Sequence, residues 1–469
     1  MAKSRTPVAA ARGISKAGAK AIADKLQTAL AMHQQGQLDL AEALYREILQ
    51  SQPFHFDALQ LLATIAAQLG NSGEAVELFD RALKIKPDFA SALCNRGTAL
   101  LDLQRPEEAL ASFDRALKIN PDYALALHGR GNTLRELRRY EEALESYGRA
   151  LKIKPDYAEV HWNESLCRLL LGDFDLGWRK YEWRWKHGAS LGAFRNFAQP
   201  LWLGEAPIAG KTLLLHAEHG LGDTLQFCRY APLVAAQGAR VVLQVPPVLK
   251  SLCRTLAGVD MLLDFSEALP AFDFHVPLMS LPLAFGTRLD SIPAKVPYLH
   301  ADPERVAAWH AVLGQRSKPR LGIVWSGSSG HGNDRNRSLP FARLAGLIDD
   351  AVEFICLQKE FRNEDEQLVR QHSNVRIFSE RLNDFADTAA LIESLDLVIT
   401  VDTSVAHMAG ALGKPVWILL PFAPDFRWLL EREDSPWYPS ARIFRQRHAG
   451  QWPEVLAEVR KALGDRFMY

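Results

Sequence analysis

The stretch Leu213-Leu-Leu-His-Ala-Glu-His-Gly-Leu-Gly-Asp-Thr-Leu-Gln-Phe-Cys-Arg229 decides how this chain is read. Leu213 to Leu215 is a short apolar run bounded by polar residues, the mark of a buried strand. Gly220 and Gly222 make a turn, and Asp223-Thr224 open a helix that continues through Leu225, Cys228 and Leu233. The two glycines allow the backbone to come close to a ligand, and the bare N–H groups of a first helical turn favour an anion. Asp223 has two readings, an ordinary N-cap or a carboxylate placed at a cleft for chemistry. Gly220, Gly222 and Thr224 line the same turn.

Outward from this unit, strands and helices alternate. Arg240–Val245, Met261–Asp264 and Phe272–Val276 are strand runs with a helix through Leu249 to Leu256 between them. Lys318-Pro319 marks a break, after which the pattern restarts at Leu321–Trp325. It continues with Glu353–Leu357, a helix near Thr388–Leu395, Leu397–Val401, a helix near Ser404–Leu412, and Val416–Leu420. Strands separated by helices imply mostly parallel sheets covered on both faces. Two doubly wound domains follow, 211–317 and 318–469. Ligands of such sheets bind beyond the carboxyl ends of the strands, so two facing domains share one cleft.

Upstream, the chain repeats itself. Pro53, Pro87, Pro121 and Pro155 recur at one fixed interval, each of the last three closing a copy of the same text: Phe79-Asp-Arg-Ala-Leu-Lys-Ile-Lys-Pro87, Phe113-Asp-Arg-Ala-Leu-Lys-Ile-Asn-Pro121 and Tyr147-Gly-Arg-Ala-Leu-Lys-Ile-Lys-Pro155. Each unit is a helix pair, with small residues such as Ala92, Gly97, Ala126 and Gly131 allowing close approach. Period, small positions and closing proline resemble tetratricopeptide repeats, which implies an α superhelical solenoid over 21–187. Its last, degenerate unit ends in Trp178-Arg-Lys-Tyr-Glu-Trp-Arg-Trp185, whose aromatics suit docking onto the next domain better than a solvated cap. Residues 1–20, basic and without an acid, are expected to be a disordered tail, and 188–210, with Pro200, Pro207 and several glycines, a linker.

Composition sets outer bounds. With 55 Lys+Arg against 55 Asp+Glu over 469 residues, no global field recruits nucleic acid or an anionic membrane. No apolar run approaches the roughly 20 residues that span a bilayer. The five cysteines have no metal-ligand spacing and read as reduced core residues of a cytoplasmic protein. Asp173-Phe-Asp175 has the form of a metal-binding D-x-D, but it falls in a turn between two repeat helices and reads as structural.

The second domain carries the remaining candidates. After the strand Leu397–Val401 comes Asp402-Thr-Ser-Val-Ala-His407, in which Asp402 or Thr403 caps a helix; Gly413 ends it and Pro415 prevents its continuation. Such a hydroxyl-rich helix start suits a diphosphate. His407 reads either as a satisfied core histidine or as part of that site. Between the two turns lies Ser326-Gly-Ser-Ser-Gly-His-Gly-Asn-Asp-Arg-Asn-Arg337, a Gly/Ser loop whose backbone donors and guanidinium fork match phosphate geometry. The loops Pro421–Trp428 and Asp434–Pro439 either frame a nucleotide base or pack the C-terminal helix Trp452–Leu463.

Gly220-Leu-Gly-Asp-Thr224, Arg337-Ser-Leu-Pro340 and Asp402-Thr-Ser-x-x-His407-x-Ala-x-Ala-Leu-Gly413-x-Pro415 together resemble bacterial heptosyltransferases, which are inverting, metal-independent glycosyltransferases of the two-Rossmann, GT-B type. The layout is similar to bacterial proteins joining tetratricopeptide repeats to such a domain and, more loosely, to O-linked N-acetylglucosamine transferases. The resemblance implies that Asp223 is the general base and that Arg337 neutralises the donor diphosphate, where the family often has lysine. It also implies that Ser326, Gly327, Asp402, Thr403, Ser404 and His407 bind the nucleotide-sugar, and that the final helix crosses back to the first domain. Neither metal nor cofactor is expected, the nucleotide-sugar being a substrate. The expected partners are that donor and an acceptor held on the solenoid's concave face, a protein or peptide. Two other readings stay open: a non-catalytic scaffold with a silent transferase-like domain, and a lipopolysaccharide-type glycan as acceptor.

Overall fold

The computed structural model describes residues 16–186, 195–218, 220–330 and 332–467. The chain forms two compact units divided after Val160.

The first unit is a run of antiparallel helix pairs: α1 (Lys16–Gln34), α2 (Leu38–Ser51), α3 (Phe56–Gln68), α4 (Ser72–Ile85), α5 (Ala90–Asp102), α6 (Pro106–Ile119), α7 (Ala124–Glu136) and α8 (Tyr140–Ile153). The expected disordered tail is corrected in part: Lys16–Lys20 form the first turn of α1, while residues 1–15 lie outside the described set. Small residues do what the repeat requires. Phe113 lies against both Gly97 and Gly129, where a Cβ would come within 2.7 and 2.4 Å of its ring, and Tyr147 lies as close to Gly131. Polar groups repeat with the same period. Arg96 joins Asp80 and Ser112, and one repeat later Arg130 joins Asp114 and Ser146. Three of the four recurring prolines share one kind of partner: Arg81, Arg115 and Arg149 donate to the carbonyls of Pro53, Pro87 and Pro121.

The second unit holds two parallel sheets. β1 (Thr212–His216), β2 (Arg240–Val245), β3 (Met261–Asp264) and β4 (Phe274–Pro277) run in the order β3-β2-β1-β4, with Leu214 between Val242 and His275. β5 (Arg320–Val324), β6 (Glu353–Cys356), β7 (Val375–Ile377), β8 (Leu397–Val401), β9 (Val416–Leu420) and β10 (Ala441–Arg445) run β10-β9-β8-β5-β6-β7. Counted within its own domain, that is the 6-5-4-1-2-3 order of a doubly wound dinucleotide fold, whose direction reverses between β5 and β8. Every residue of β5, β8 and β9 is buried, as a central parallel strand covered on both faces must be.

Several boundaries differ from the sequence reading. The last helix pair, α9 (Ala158–Leu170) and α10 (Phe174–Tyr181), lies at and beyond the division, and α10 packs with the α/β unit. Trp178 is buried against Phe227 and Phe426, and Tyr181 also meets Phe426. Asp173 caps α10 through the Leu176 amide and Asp175 pairs with Arg288, so the D-x-D is a structural turn. Of the expected linker, 188–194 lie outside the described residues. The rest is built into the first sheet, where Leu201 bridges to His275 and the Trp202 amide donates to the His275 carbonyl. The helix Pro303–Leu313, placed by sequence in the first domain, packs on the second through Arg305 to Asp384 and Asp387 and Trp309 to Phe378.

The C-terminal helix does not cross back. Trp452–Phe467 buries Trp452, Val455, Val459 and Leu463 in the second domain's own core with Trp325, Trp417 and Phe444. Its apolar face packs on that sheet and on Phe341, Leu344 and Leu347 of the same domain. Trp428, Trp437 and Tyr438, offered as a frame for a nucleotide base, are likewise buried in packing. All five cysteines are free and buried. Among the described residues, no helix is long and apolar enough to cross a membrane.

Candidate active site

Two loops leave the second sheet where its strand order reverses. After β5, Ser326 is fixed by Gln358, whose Oε1 accepts the Ser326 amide at 3.3 Å and whose Nε2 donates to the Ser326 carbonyl at 3.0 Å. The Gly327 amide donates to Ser338 Oγ, which donates to Asp334. The Gly/Ser loop thus ends in a short helical turn, Asp334–Arg337. The turn presents Arg337 back toward Gly327, where a Cβ would sit 2.5 Å from Nη2. After β8, the carbonyl of Asp402 accepts Arg337 Nη1 at 2.9 Å, so one guanidinium ties together both sides of the switch point. Arg337 Nε is buried without a hydrogen-bond partner.

Thr403, not Asp402, caps the helix Ser404–Ala411, its Oγ1 accepting the Val405 amide. Asp402 is left with its carboxyl half-buried and unneeded for capping. Burial, followed by the nearby Asp425, pushes that carboxyl up to about 6, against the pull of Arg337 and Arg427. Below about pH 6 it mostly carries a proton; at neutrality the greater part is ionised.

His407 is buried, stacked at 5.3 Å on Trp428, with Nδ1 3.0 Å from the Tyr438 hydroxyl. Burial holds it well below the ordinary histidine range, with Arg427, Arg229 and Arg337 adding to the effect. It is a neutral ring that packs on the other domain's turn. A Cβ at Gly222 would come within 2.8 Å of His407 Cδ2 and 3.6 Å of Ser404 Cα. In this structure, Gly222 admits a histidine of the second domain, where the sequence had suggested a ligand.

The first domain's turn is also rearranged relative to expectation. The helix runs Leu221–Phe227 with Gly220 as its cap, so Asp223 sits inside the first turn. Its Oδ2 accepts the Gly220 amide at 2.9 Å, and Thr224 donates its amide to the Gly220 carbonyl. Its Oδ1 accepts Arg427 Nη2 from the loop after β9. Arg427 also donates Nε to Gln226 Oε1 at 2.7 Å and Nη1 to Asp425 Oδ1 at 2.8 Å. A second arginine, Arg229, reaches across as well, to the Trp437 carbonyl at 2.7 Å and the Tyr298 hydroxyl at 2.8 Å.

Behind the turn, Arg184 follows α10 with its side chain 0% exposed, forked onto Glu218 at 3.0 and 3.1 Å. The Glu218 carboxylate is 1% exposed and also accepts the Met279 amide after β4. Asp402, Thr403, Ser404, His407 and Arg337 are thus gathered at one switch point, with Gly220, Gly222 and Asp223 facing them. Ser326 is buried behind them. Arg427, Asp425, Glu218 and Arg184 were missed, although a charged pair, Asp425-Phe-Arg427, in an apolar loop past a strand end was a legible signal. Among the described residues, no group of three or more His, Cys, Asp or Glu side chains could hold a metal ion.

Residues 351–456 match the family described as glycosyltransferase family 9 (heptosyltransferase), and 26–90 and 88–156 match tetratricopeptide-repeat families. The transferase match takes in Asp402, His407 and Arg427 and stops short of Asp223 and Arg337. Protein FlbA of Caulobacter vibrioides is 26% identical over 332 residues, covering 66% of this chain and 55% of FlbA. The chain therefore spans about half the length of that curated relative. Among solved structures, MamA is 19% identical with TM-score 0.32 over 35% of this chain and 97% of MamA. PilW, described as a widely conserved type IV pilus biogenesis factor, is 26% identical with TM-score 0.34 over 37% of this chain and 82% of PilW. The chain carries tetratricopeptide repeats followed by an α/β region with a glycosyltransferase family 9 segment.

Proposed function

We propose that this chain is an inverting, metal-independent glycosyltransferase that moves a sugar from a nucleotide-sugar to a protein or peptide acceptor recruited by its repeats. The observation that carries the reading is the meeting of Arg337, Asp402 and the capped start of Ser404–Ala411 at the reversal point of a doubly wound sheet. An anion is best received there, since Arg337 supplies a guanidinium held at the switch point and the helix start its dipole.

In this reading the acceptor hydroxyl oxygen bonds to the anomeric carbon while the bond from that carbon to the diphosphate oxygen breaks. The electron pair leaves with the diphosphate, whose charge Arg337 and the helix start neutralise. The hydroxyl proton goes to Asp223. One attack from the face opposite the leaving group inverts the anomeric centre. A cation of the protein's own at the diphosphate makes a metal unnecessary to the scheme. Repeats of this kind supply an extended surface suited to a peptide.

The second reading, a scaffold with a silent transferase-like domain, draws on the pairing of Asp223 with Arg427 and the filling of Gly222's free side by His407. Thermal melting of the protein with ADP, UDP, GDP, CMP and dTDP separates the two. A nucleotide at about a hundred times its dissociation constant stabilises its domain by roughly 2.7 kcal/mol. The transferase reading expects one nucleotide to raise the melting temperature and Arg337→Ala to abolish the rise. No rise with any of the five favours the scaffold.

A further inference from the structure

We propose that Arg427 is a positioning residue for the transfer reaction, holding Asp223 in the one orientation from which it takes the acceptor's proton. The inference rests on the glycosyltransferase reading above and adds to it a residue outside the set that the sequence motifs single out.

The geometry commits the whole guanidinium. Nε goes to Gln226, Nη1 to Asp425 and Nη2 to Asp223, with Met279 Sδ 3.8 Å from Nη2. The rings of Phe426 and Phe227 lie 4.5 and 5.8 Å from its centre, and only 10% of the side chain is exposed. Asp223 is held from two directions, Oδ2 by the Gly220 amide of its own turn and Oδ1 by Arg427 of the opposite domain. Rotation about its terminal bond would break both contacts. The Asp223 side chain keeps 23% exposure, so it is not sealed off by these contacts.

Two alternatives fit less well. General interdomain attachment is already served by Arg229, whose acceptors are carbonyls and a hydroxyl. The diphosphate has Arg337 at the switch point, whereas Arg427 is walled in by aromatic rings and Gln226. What sets Arg427 apart is its place as one cation between two carboxylates, Asp223 and Asp425. Without it Asp223 and Asp425 each lose the guanidinium that joins them, and two anions are left without the cation between them. Tyr181 from α10 and Glu218 from the turn itself are the other titratable groups sharing this field, with Arg184 behind them and neutral His407 and half-buried Asp402 on the second domain's side.

The test uses the full chain and reads release of nucleoside diphosphate from UDP-, ADP-, GDP- and dTDP-hexoses with water as acceptor, against pH, beside melting with the matching nucleoside diphosphate. Arg427→Met is expected to keep the nucleotide-induced rise in melting temperature. Its release at pH 7 should fall by about a hundredfold, the low end of what a general base supplies, and its acid limb should move to higher pH. Arg427→Lys should recover part of the rate. Asp425→Asn, which removes the competing anion and spares the cation, should move the acid limb to lower pH; it also serves if the methionine variant does not fold. Opposite movements of one limb are not expected of a merely structural contact. If the wild type releases nucleoside diphosphate and neither variant moves the limb, this inference alone fails. If Arg427→Met loses the nucleotide shift, Arg427 belongs to donor binding and the inference is overturned. If the wild type neither releases nor binds any nucleotide, the transferase reading fails and takes this one with it.

Discussion

Asp402 shows how a single side chain freed from a local duty becomes available for another. Because Thr403 caps the helix, the Asp402 carboxyl satisfies no helix end, and its burial makes ionisation costly. In the unfolded chain it ionises near 3.8; in the fold it does so near 6. A group whose folded value is raised favours the fold fully below the unfolded value and loses that contribution as pH rises through the folded one. Asp402→Asn should therefore raise the melting temperature relative to wild type at pH 7.5, with the gain fading toward pH 4. A gain that is equal at both pH values would show that the carboxyl does not titrate as described. Buried neutral His407 acts in the opposite sense, since the unfolded chain takes up its proton as pH falls below about 6.5 and stability drops there. In the sequence, Asp402 and His407 stood out by spacing from a strand end. Their protonation states did not, because these depend first on burial in the folded cleft and then on Asp425 and Arg427, two residues of a loop read only for its aromatics.

At the scale of elements, the two helix starts that the sequence singled out meet each other. The Leu221–Phe227 and Ser404–Ala411 helices pack together through Gly222 and His407. Gly222 has no left-handed backbone angle, so its glycine is required by the neighbour. Gly222→Ala would press on a ring held by Trp428 and Tyr438 and should cost about 1–3 kcal/mol. Gly220→Ala, whose nearest outside atom is Asp223 Oδ2 at 3.4 Å, should cost well under that. Denaturant melts of the two variants compare them directly, and equal losses would remove the packing argument. The glycine turn was legible in the text; the reason for it was not, since the contact pairs residues far apart along the chain. The repeats were legible for the converse reason, their contacts being short-range and periodic. β7 and β10 escaped notice because one has three residues and the other is an edge strand interrupted by Arg442.

For the molecule, the unit that matters is larger than the α/β text suggests. The carboxylate of Glu218 is buried with Arg184 as its cation, and Trp178 and Tyr181 cover Phe426 beside Arg427. A chain begun at residue 195 takes the Arg184 guanidinium away from the buried Glu218 carboxylate, a loss of about 3–5 kcal/mol. Relative to a chain begun at residue 156, it should melt lower by roughly 10 °C. Calorimetry of the two fragments decides it, and equal melting temperatures would show that α10 is dispensable to the second unit. The linker between 188 and 210 was read from its prolines and glycines, which mark irregular backbone well. They do not mark independence, because part of that stretch pairs with His275 and the helix before it is tied in by Arg184.

The Arg184–Glu218 fork also bears on how such a chain can be inherited. A recombination that joined a new solenoid to this α/β region at the proline-rich stretch would carry the acid without its base. It would produce a protein whose buried Glu218 carboxylate has lost the Arg184 fork. A crossover before α9 would carry both together. The seam along which these two halves can be exchanged between genes therefore lies ahead of the last helix pair, some distance upstream of where the composition of the chain visibly changes.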